Sequence, residues 1–512
     1  MTNQPAADIL KPGHNCWKQT SAQRFSLLID GANYFAALRA TMLQAEQSIF
    51  IVGWDVDSRI RLVGNTPPTD DAPHTLRDFL IHLLRQRRDL RIRVLLWDYS
   101  VLYALEREPL PALNLAWTTP PGLDICLDDR APMGACHHQK MIVVDGKVAF
   151  CGGMDLSLGR WDTRDHAAEN TDRADPDGTP RQPFHDVQCM VDGQAAQALG
   201  ALVTERWLAV TGETVPIPDG ASDPWPTSFS ADVTDCHIGV ARTVAPLNEG
   251  AGVHEIEALY LDMIGSAERC LYLENQYATS DVISRALVKA LAEKPDLEVI
   301  LVSSKDQDGF LEHQSMVAGR ARFMARFREA NVDDRIRLVY PQVPDENGDG
   351  VAVYVHAKVM IVDDRLLRIG SANLNNRSMG TDGECDLILV AQNEEHRKQI
   401  TCHRHDLMAE HLGLNAKTIA AEIDRCGSLC ALIDARQKDQ RTLRQMDCDD
   451  AANGQLVDIL RDVTDPERPA DSAQFVGDML SARVAKTPIR RRTLVMAAVT
   501  LIALIFAVIQ YV

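Results

Sequence analysis

Residues 138–153, HQKMIVVDGKVAFCGG, have the pattern of a complete β-hairpin. His138 and Lys140 stand at the start of an apolar run, Asp145 and Gly146 form a favoured hairpin turn, and the residues after them have the pattern of a return strand. Because side chains alternate along a strand, His138 and Lys140 emerge on the same face. The stretch therefore predicts a hairpin that presents an imidazole and an ammonium group together.

The same pattern recurs in the second half of the chain as HAKVMIVDDRLLRIGSAN, residues 356–373. The histidine, lysine and aspartate of the first copy have counterparts at the same spacing: His356, Lys358 and Asp363. The small-residue segments GGMD and GSAN place Asp155 and Asn373 seventeen positions after their histidines, where the backbone can approach a ligand closely. One His-x-Lys pair is usually a surface feature of an edge strand, but two copies in register favour a shared functional site.

Helices and apolar strands alternate in the same order ahead of both hairpins. Helical patterns lie at 32–47, 75–87, 255–267 and 281–292, and strand patterns lie at 49–52, 92–97, 270–273 and 297–302. Such alternation predicts a mixed sheet flanked by helices, and 512 residues exceed what one typical core needs. We therefore expect the α/β class with two similar domains, 1–215 and 234–415, joined where proline, glycine, serine and aspartate concentrate.

The composition limits the partners and cofactors. The formal net charge of −19 argues against a protein that coats nucleic acid, since neutralising phosphates needs clustered lysine and arginine. The 12 cysteines show no zinc-type spacing, and Cys426 and Cys430 lack nearby histidine or cysteine partners, so free thiols are expected. The sequence predicts no cofactor, no metal and no nucleic-acid partner.

The two ends of the chain differ in character. Residues 1–19 lack the positive start and the unbroken apolar run of a signal peptide. Residues 494–512, LVMAAVTLIALIFAVIQYV, carry no charge and follow a basic cluster. This pattern predicts a transmembrane anchor at 493–512 with the catalytic part on the cytoplasmic side, and the alternative is a buried terminal helix. Residues 416–492 have a charged, helical pattern and are expected to form an appendage that leads to the anchor.

The duplicated motifs resemble those of the phospholipase D superfamily, which is defined by two copies of His-x-Lys-x4-Asp. Further segments carry the resemblance: GGMDLSLGRWD at 152–162, PFHD at 183–186, ENQY at 274–277 and GSANLNNRSM at 370–379. VGWDVDSR at 52–59 is similar to bacterial members in particular, and Phe184 stands where the family pattern PWHD has tryptophan. The resemblance implies two α/β domains related by a pseudo-two-fold axis, with the active site at their interface.

The resemblance also implies residue roles. His138 is expected to attack phosphorus and form a phosphohistidine, while His356 protonates the leaving alcohol and later activates water; the symmetry of the motifs leaves the reverse assignment open. Lys140 and Lys358 are expected to hold phosphate oxygens, with Asn373 donating a hydrogen bond. The expected substrate-binding or supporting residues are Asp155, Asn373, Ser371, Glu384 and Asp186.

Two acids are expected to orient the imidazoles by binding their second ring nitrogens. Asp186 is the predicted partner of His138, and Glu384 is the acid that follows His356 by 28 positions. Asp145 and Asp363 complete the two motifs. Because aspartate is common at hairpin corners, a supporting role is expected for both.

These observations predict a phospholipase D that hydrolyses glycerophospholipids, and transfers their phosphatidyl group to alcohols, through a phosphohistidine. The alternatives are a cardiolipin synthase-like phosphatidyltransferase, a phosphodiesterase or nuclease of the same superfamily, and a non-enzymatic scaffold whose site is a relic. A phospholipid substrate and a membrane are the expected partners, and the protein is expected to be a monomer. The headgroup, the acceptor alcohol and any effect of calcium stay open.

Overall fold

Two sets of apolar strands join edge to edge in this protein. The computed structural model describes residues 9–64, 70–98, 121–132, 134–218, 220, 222–246, 252–306, 310–448 and 465. All of them fall within one compact unit, residues 1–468. The helices and strands predicted ahead of both hairpins are present, with ends that shift by a few residues.

The strands are β1 (Lys18–Ile29), β2 (Ser48–Gly53), β3 (Arg91–Trp97), β4 (Leu123–Asp128), β5 (Met141–Val144), β6 (Val148–Gly152), β7 (Phe184–His185), β8 (Val187–Asp192), β9 (Val233–Val244), β10 (Val253–His254), β11 (Cys270–Asn275), β12 (Glu298–Val302), β13 (Ile336–Pro344), β14 (Gly350–Ala352), β15 (Tyr354–Val355), β16 (Lys358–Val362), β17 (Leu366–Gly370), β18 (Glu384–Val390) and β19 (Thr442–Gln445). The α-helices are α1 (Asp30–Met42), α2 (Leu76–Gln86), α3 (Gly193–Thr211), α4 (Glu255–Ser266), α5 (Asp281–Glu293), α6 (Phe310–Glu329), α7 (Asn376–Gly380), α8 (Glu394–Leu412), α9 (Ala416–Cys426) and α10 (Leu429–Ala435).

The strand order is the same in both halves, read outward from the centre. In the first half it runs β1, β8, β6, β5, β2, β3, β4, and in the second half β9, β18, β17, β16, β11, β12, β13. The halves meet at β1 and β9, which pair antiparallel from Lys18 with Val240 to Phe25 with Val233. Each half thus supplies a hairpin, β5 with β6 or β16 with β17, next to three parallel strands.

Alternating side chains divide the interior into layers. In β2, Ile49 and Ile51 pack into an outer core with α1 and α2, whereas Phe50 and Val52 face a central core. That central core also contains side chains of α3, α8 and the second half, such as Ile361. A third core lies on the outer face of the second half with α4 and α5. Helices therefore cover both faces of the parallel strands, as their unbroken apolar runs require.

The two hairpin turns are tied to the loop ahead of the neighbouring strand. Asp145 (φ 51°) and Gly146 (φ 65°) adopt the left-handed conformation of a tight hairpin turn, and Asp363 (φ 51°) does so in the second half. The Asp145 carboxylate accepts hydrogen bonds of 2.8 Å from three successive backbone N–H groups, Glu46, Gln47 and Ser48. Asp363 accepts three in the same way at 2.9–3.1 Å: Glu268, Arg269 and Cys270. Both aspartates therefore hold the hairpins in the sheet.

The transmembrane part of the predicted fold class is wrong. Within the ranges that the structure describes, no helix combines the length and the apolar composition needed to cross a bilayer. The expected single-pass membrane location, with the catalytic part on the cytoplasmic side, is corrected by the same finding. Residues 493–512, on which the predicted anchor depends, lie outside the described residues.

The appendage predicted at 416–492 contains both helices and a strand in its described part, residues 416–448. Helices α9 and α10 lie there, but Thr442–Gln445 is a strand that pairs antiparallel with β13. The chain thus returns to the edge of the sheet, where unpaired backbone groups of β13 accept a partner strand. Most residues beyond 448 lie outside the described part.

Candidate active site

Backbone hydrogen bonds fix each motif histidine against the other half of the chain. His137 forms a parallel bridge with Gly383, and the His138 N–H donates to the Gly383 carbonyl at 2.8 Å. In the same way β15 pairs with β7, and the His356 N–H donates to the His185 carbonyl at 2.8 Å. The two motifs therefore converge where the halves meet.

His138 is held by a buried acid of the second half. Its Nδ1 lies 3.1 Å from both carboxylate oxygens of Glu384. Ser371 Oγ donates to one of these oxygens at 2.5 Å, and Ser378 Oγ donates to the other at 2.7 Å. With Nδ1–H donated to the carboxylate, the lone pair of His138 lies on Nε2, on the far side of the ring. That nitrogen is the one suited to attack on phosphorus.

His356 is held by a buried acid of the first half. Its Nδ1 donates to Asp186 Oδ2 at 2.7 Å, and Asp186 Oδ1 accepts the Val187 N–H at 2.8 Å. The ring of Phe184 lies 5.6 Å from the His356 ring, centroid to centroid. The imidazole is thus fixed by one charged hydrogen bond and by an aromatic neighbour.

The predicted pairing of acids and histidines is wrong, because the two pairs are crossed between the halves. Asp186 binds His356 instead of His138, and Glu384 binds His138. The cause is the backbone pairing of the motifs. Each histidine hydrogen-bonds to a backbone carbonyl one residue before the acid, at His185 or Gly383, so each imidazole lies beside the acid of the other half.

Two buried lysines complete the site. Lys140 Nζ lies 2.8 Å from Asp155 Oδ2 and donates to the His138 carbonyl at 3.1 Å. Lys358 Nζ donates to Gln276 Oε1 at 3.2 Å and to the His356 carbonyl. The lysines are only 3% and 0% exposed, so their charge is poorly screened by water. An anion that enters between the motifs meets two buried lysine side chains.

The burial of these groups shifts their ionisation. Burial lowers the pKa of both histidines well below the usual range, and the charges of Lys140 and Lys358 lower it further. Burial also lowers the pKa of Lys358 to about 7. It raises the pKa of Glu384 to about 8 and the pKa of Asp186 to about 6. At neutral pH the site therefore holds two neutral imidazoles beside groups that titrate near neutrality, which is typical of catalytic sites.

The remaining predicted residues differ in position. Ser371 contacts Glu384, and Asp155 contacts Lys140. Asn373 is buried; its backbone N–H donates to Ser378, and its Oδ1 has no hydrogen-bond partner among the described residues. Asp145 and Asp363 bind backbone N–H groups outside the site, as described above.

Three residues of the site have no individual role in the sequence-based prediction. Ser378 and Gln276 contact Glu384 and Lys358. Arg160 lies over the Phe184 ring, with Cζ 4.8 Å from the ring centroid, and its charge lowers the pKa of His356. All three lie in the conspicuous segments GRWD, ENQY and NNRSM. Nothing in a single sequence separates them from the neighbours in those segments.

The fold and the site define a class of protein. In this class, a duplicated α/β sheet brings one His–Lys pair from each half into a single site for phosphodiester chemistry. Two family models match this chain: "Phospholipase D" over residues 129–223, and "Cardiolipin synthase, PLD-like domain" over residues 260–406. Each match contains one of the two motifs. The chain belongs to the phospholipase D superfamily.

Individual relatives agree with this assignment. Phospholipase D A of Dictyostelium discoideum is 25% identical over 455 residues, which cover 76% of this chain and 34% of the relative. Phospholipase D delta of Arabidopsis thaliana is 25% identical over 538 residues, which cover 72% of this chain and 62% of the relative. The chain thus spans less than two thirds of these curated relatives. The crystal structure of phosphatidylserine synthase from Haemophilus influenzae has a similar fold, with a TM-score of 0.51 at 13% identity, covering 82% of this chain and 96% of that chain.

Proposed function

We propose that this chain is a phospholipase D that hydrolyses glycerophospholipids to phosphatidic acid and the free headgroup alcohol. The observation that carries the proposal is the pair of buried histidines, each held by a carboxylate of the opposite half and flanked by a buried lysine. The relatives named phospholipase D support a phospholipid as the substrate.

The first step is attack on phosphorus. His138 Nε2 forms a bond to phosphorus, and the bond between phosphorus and the headgroup oxygen breaks. His356 gives its Nε2 proton to the leaving alcohol. The negative phosphodiester raises the pKa of His356 when it binds, since a nearby anion favours the protonated imidazole. Lys140 and Lys358 stabilise the charge that develops on the non-bridging oxygens.

The second step releases the phosphatidyl group. His356, now neutral, accepts a proton from water, and the water oxygen displaces His138 from phosphorus to give phosphatidic acid. An alcohol that replaces water in this step gives a new phospholipid. Transphosphatidylation is therefore a direct consequence of the covalent intermediate.

A second candidate is a cardiolipin synthase-like phosphatidyltransferase, which would use a phospholipid hydroxyl as the acceptor in the second step. The family model that matches the half with the second motif favours it. The two candidates share the first step, so only the acceptor distinguishes them.

The test is incubation of the purified protein with micelles of phosphatidylcholine, phosphatidylethanolamine or phosphatidylglycerol, with and without ethanol. We expect phosphatidic acid without ethanol and phosphatidylethanol in its presence, with neither product from His138→Ala. His403→Ala is the matched control, because it removes a buried histidine elsewhere, and it should keep activity. If cardiolipin were the sole product formed from phosphatidylglycerol, the transferase function would be supported and hydrolysis refuted. If no lipid changed, both proposed functions would be refuted.

A further inference from the structure

A second buried group of titratable side chains adjoins the site, because His185 directly precedes Asp186 in the chain. Four residues from separate segments form this histidine–carboxylate cluster: Asp30, His166, His185 and Glu410. Their exposed fractions are 0%, 1%, 0% and 6%. Burying so many ionisable groups is costly unless each finds a partner of opposite charge or a metal ion. The catalytic steps proposed above use none of the four.

The atoms of the cluster have the spacing of a metal ligand set. His185 Nδ1 lies 2.9 Å from Asp30 Oδ1 and 2.9 Å from Glu410 Oε1. His166 Nε2 lies 3.0 Å from the same Glu410 oxygen and 3.6 Å from Asp30 Oδ2. Tetrahedral zinc with bonds of about 2.1 Å places neighbouring ligand atoms about 3.4 Å apart. The observed separations bracket that value.

The outward ring nitrogens of both histidines are held by further carboxylates. His166 Nδ1 lies 3.1 Å from Asp162 Oδ2, and His185 Nε2 lies 2.8 Å from Glu274 Oε2. Histidines that bind metals almost always donate their second N–H to such an acceptor, which leaves a lone pair on the inward nitrogen. Both imidazoles are therefore oriented as ligands.

The charges in the cluster also favour a cation at its centre. In the described part of the chain, the ion-pair partners of Asp30 are both histidines, whereas Glu410 also pairs with Arg164 through its second oxygen, Oε2. Asp30 Oδ2 is buried and has no hydrogen-bond partner among the described residues. A proton on an imidazole forms a short hydrogen bond to one carboxylate oxygen at a time, so the protonated histidines leave this oxygen without a hydrogen bond. A divalent ion supplies two positive charges at a point within reach of both carboxylates and both imidazoles.

We propose that Asp30, His166, His185 and Glu410 form a structural binding site for one zinc ion. Two nitrogen and two oxygen ligands, all within 4.8 Å of one another, suit zinc better than calcium or magnesium, which take oxygen ligands in larger number. The ion joins the start of α1, the loop after β6, β7 and the end of α8. It fixes His185, and with it the backbone beside Asp186. This site is separate from the phosphodiester chemistry and does not rest on the proposed function.

The first measurement is the metal content of the full chain. The protein is incubated with zinc sulfate, desalted and examined by inductively coupled plasma mass spectrometry. We expect about one zinc ion per chain, as in other closed four-ligand sites. His166→Ala should lose at least nine tenths of it, whereas His403→Ala, which removes a buried histidine from the same helix as Glu410, should keep it. Zinc-free wild-type protein after loading, or equal zinc in wild type and His166→Ala, overturns the site.

Two further measurements keep the test decisive if His166→Ala does not fold. Glu274→Gln leaves all four ligands in place and removes the charge that holds His185, which also holds His411, so zinc affinity should fall by about 10- to 100-fold. Cobalt(II) in place of zinc should give the strong visible absorption of a tetrahedral site in wild type and His403→Ala. Unchanged zinc affinity in Glu274→Gln, or a weak octahedral cobalt spectrum in wild type, would place the bound metal outside this cluster and would overturn the site.

Discussion

Replacing each supporting carboxylate by its amide, Glu384→Gln or Asp186→Asn, should separate the roles of the two histidines. Each carboxylate accepts a hydrogen bond from one imidazole, at 3.1 Å for His138 and 2.7 Å for His356. A hydrogen bond to a charged group contributes about 1.5–3 kcal/mol. At about 1.36 kcal/mol per tenfold in rate, its weakening in the transition state slows turnover of phospholipid by about 10- to 150-fold in either variant.

The assay that distinguishes the two variants uses a second substrate with a p-nitrophenol leaving group. Nitrophenolate leaves without a proton, so formation of the phosphohistidine from this substrate no longer needs the acid. If His138 attacks and His356 transfers protons, Asp186→Asn should give a burst of nitrophenolate followed by slow turnover. The phosphohistidine forms, but its hydrolysis is slow because water is poorly activated. Glu384→Gln gives no burst, since the attack itself is impaired.

The opposite pattern would refute this assignment of roles. A burst in Glu384→Gln and none in Asp186→Asn would make His356 the nucleophile. Rates within about twofold of wild type in both variants would remove the carboxylates from the mechanism, since even a weak hydrogen bond contributes more than that. Thermal unfolding of each variant provides the control, because a lowered midpoint would attribute the lost rate to the fold.

Three further changes have expected outcomes. Lys358 must keep its charge to hold phosphate, so kcat/KM should fall as the pH rises through about 7. The charge of Arg160 lowers the pKa of Lys358. Arg160→Gln removes that charge and should therefore move this fall in kcat/KM to higher pH. Asp145→Ala removes the acceptor of three backbone hydrogen bonds and should lower the free energy of unfolding by about 2–4 kcal/mol, measured in urea, with unchanged turnover by the folded protein. Gly153→Ala places a Cβ 2.2 Å from Asp186 Oδ1 and should slow turnover by about 10- to 100-fold in a steady-state assay.

Two of these changes have a matched control. Asp363→Ala removes the same number of hydrogen bonds at a more exposed turn, so its loss of stability should be smaller than that of Asp145→Ala. Gly265→Ala adds a Cβ with no atom within 4 Å and should leave turnover unchanged. A fall in kcat/KM that does not move in Arg160→Gln, or full activity in Gly153→Ala, would contradict the electrostatic and steric arguments respectively.

The helices, strands and turns that could be predicted from the sequence are those that local sequence patterns determine. The strands β5 and β16, their hairpin turns and the helices ahead of them follow from apolar periodicity and turn chemistry. The positions of His138 and His356 follow in the same way, because a repeated motif at the start of a repeated strand must occupy equivalent positions in the two halves. Local rules were enough for both.

The pairing of the acids depends on contacts between distant segments, which periodicity cannot provide. Glu384 is 246 residues from His138 in the chain, and Asp186 is 170 residues from His356. A sequence places each acid nearest the histidine of its own half, but the strands pair across the centre and exchange them. The strand at Thr442–Gln445 was missed for a related reason, since it is short and is stabilised by the free edge of β13.

The exchange of acids means that neither half alone places a carboxylate beside its own histidine. Each half contributes the histidine and lysine of one pair and the carboxylate that orients the other histidine, so the site exists only when β1 and β9 have joined.

The halves nevertheless differ at one point. The segment between β17 and β18, residues 371–383, is short, whereas the segment between β6 and β7, residues 153–183, is longer and contains Asp162 and His166. The extra residues of the first half thus contribute His166 to the histidine–carboxylate cluster beside Asp186, while two serine hydroxyls donate to Glu384 on the other side. A pseudo-symmetric pair of acids held by such different surroundings need not ionise together: burial raises the pKa of Glu384 to about 8 and the pKa of Asp186 only to about 6, so the two carboxyl groups lose their protons at different pH.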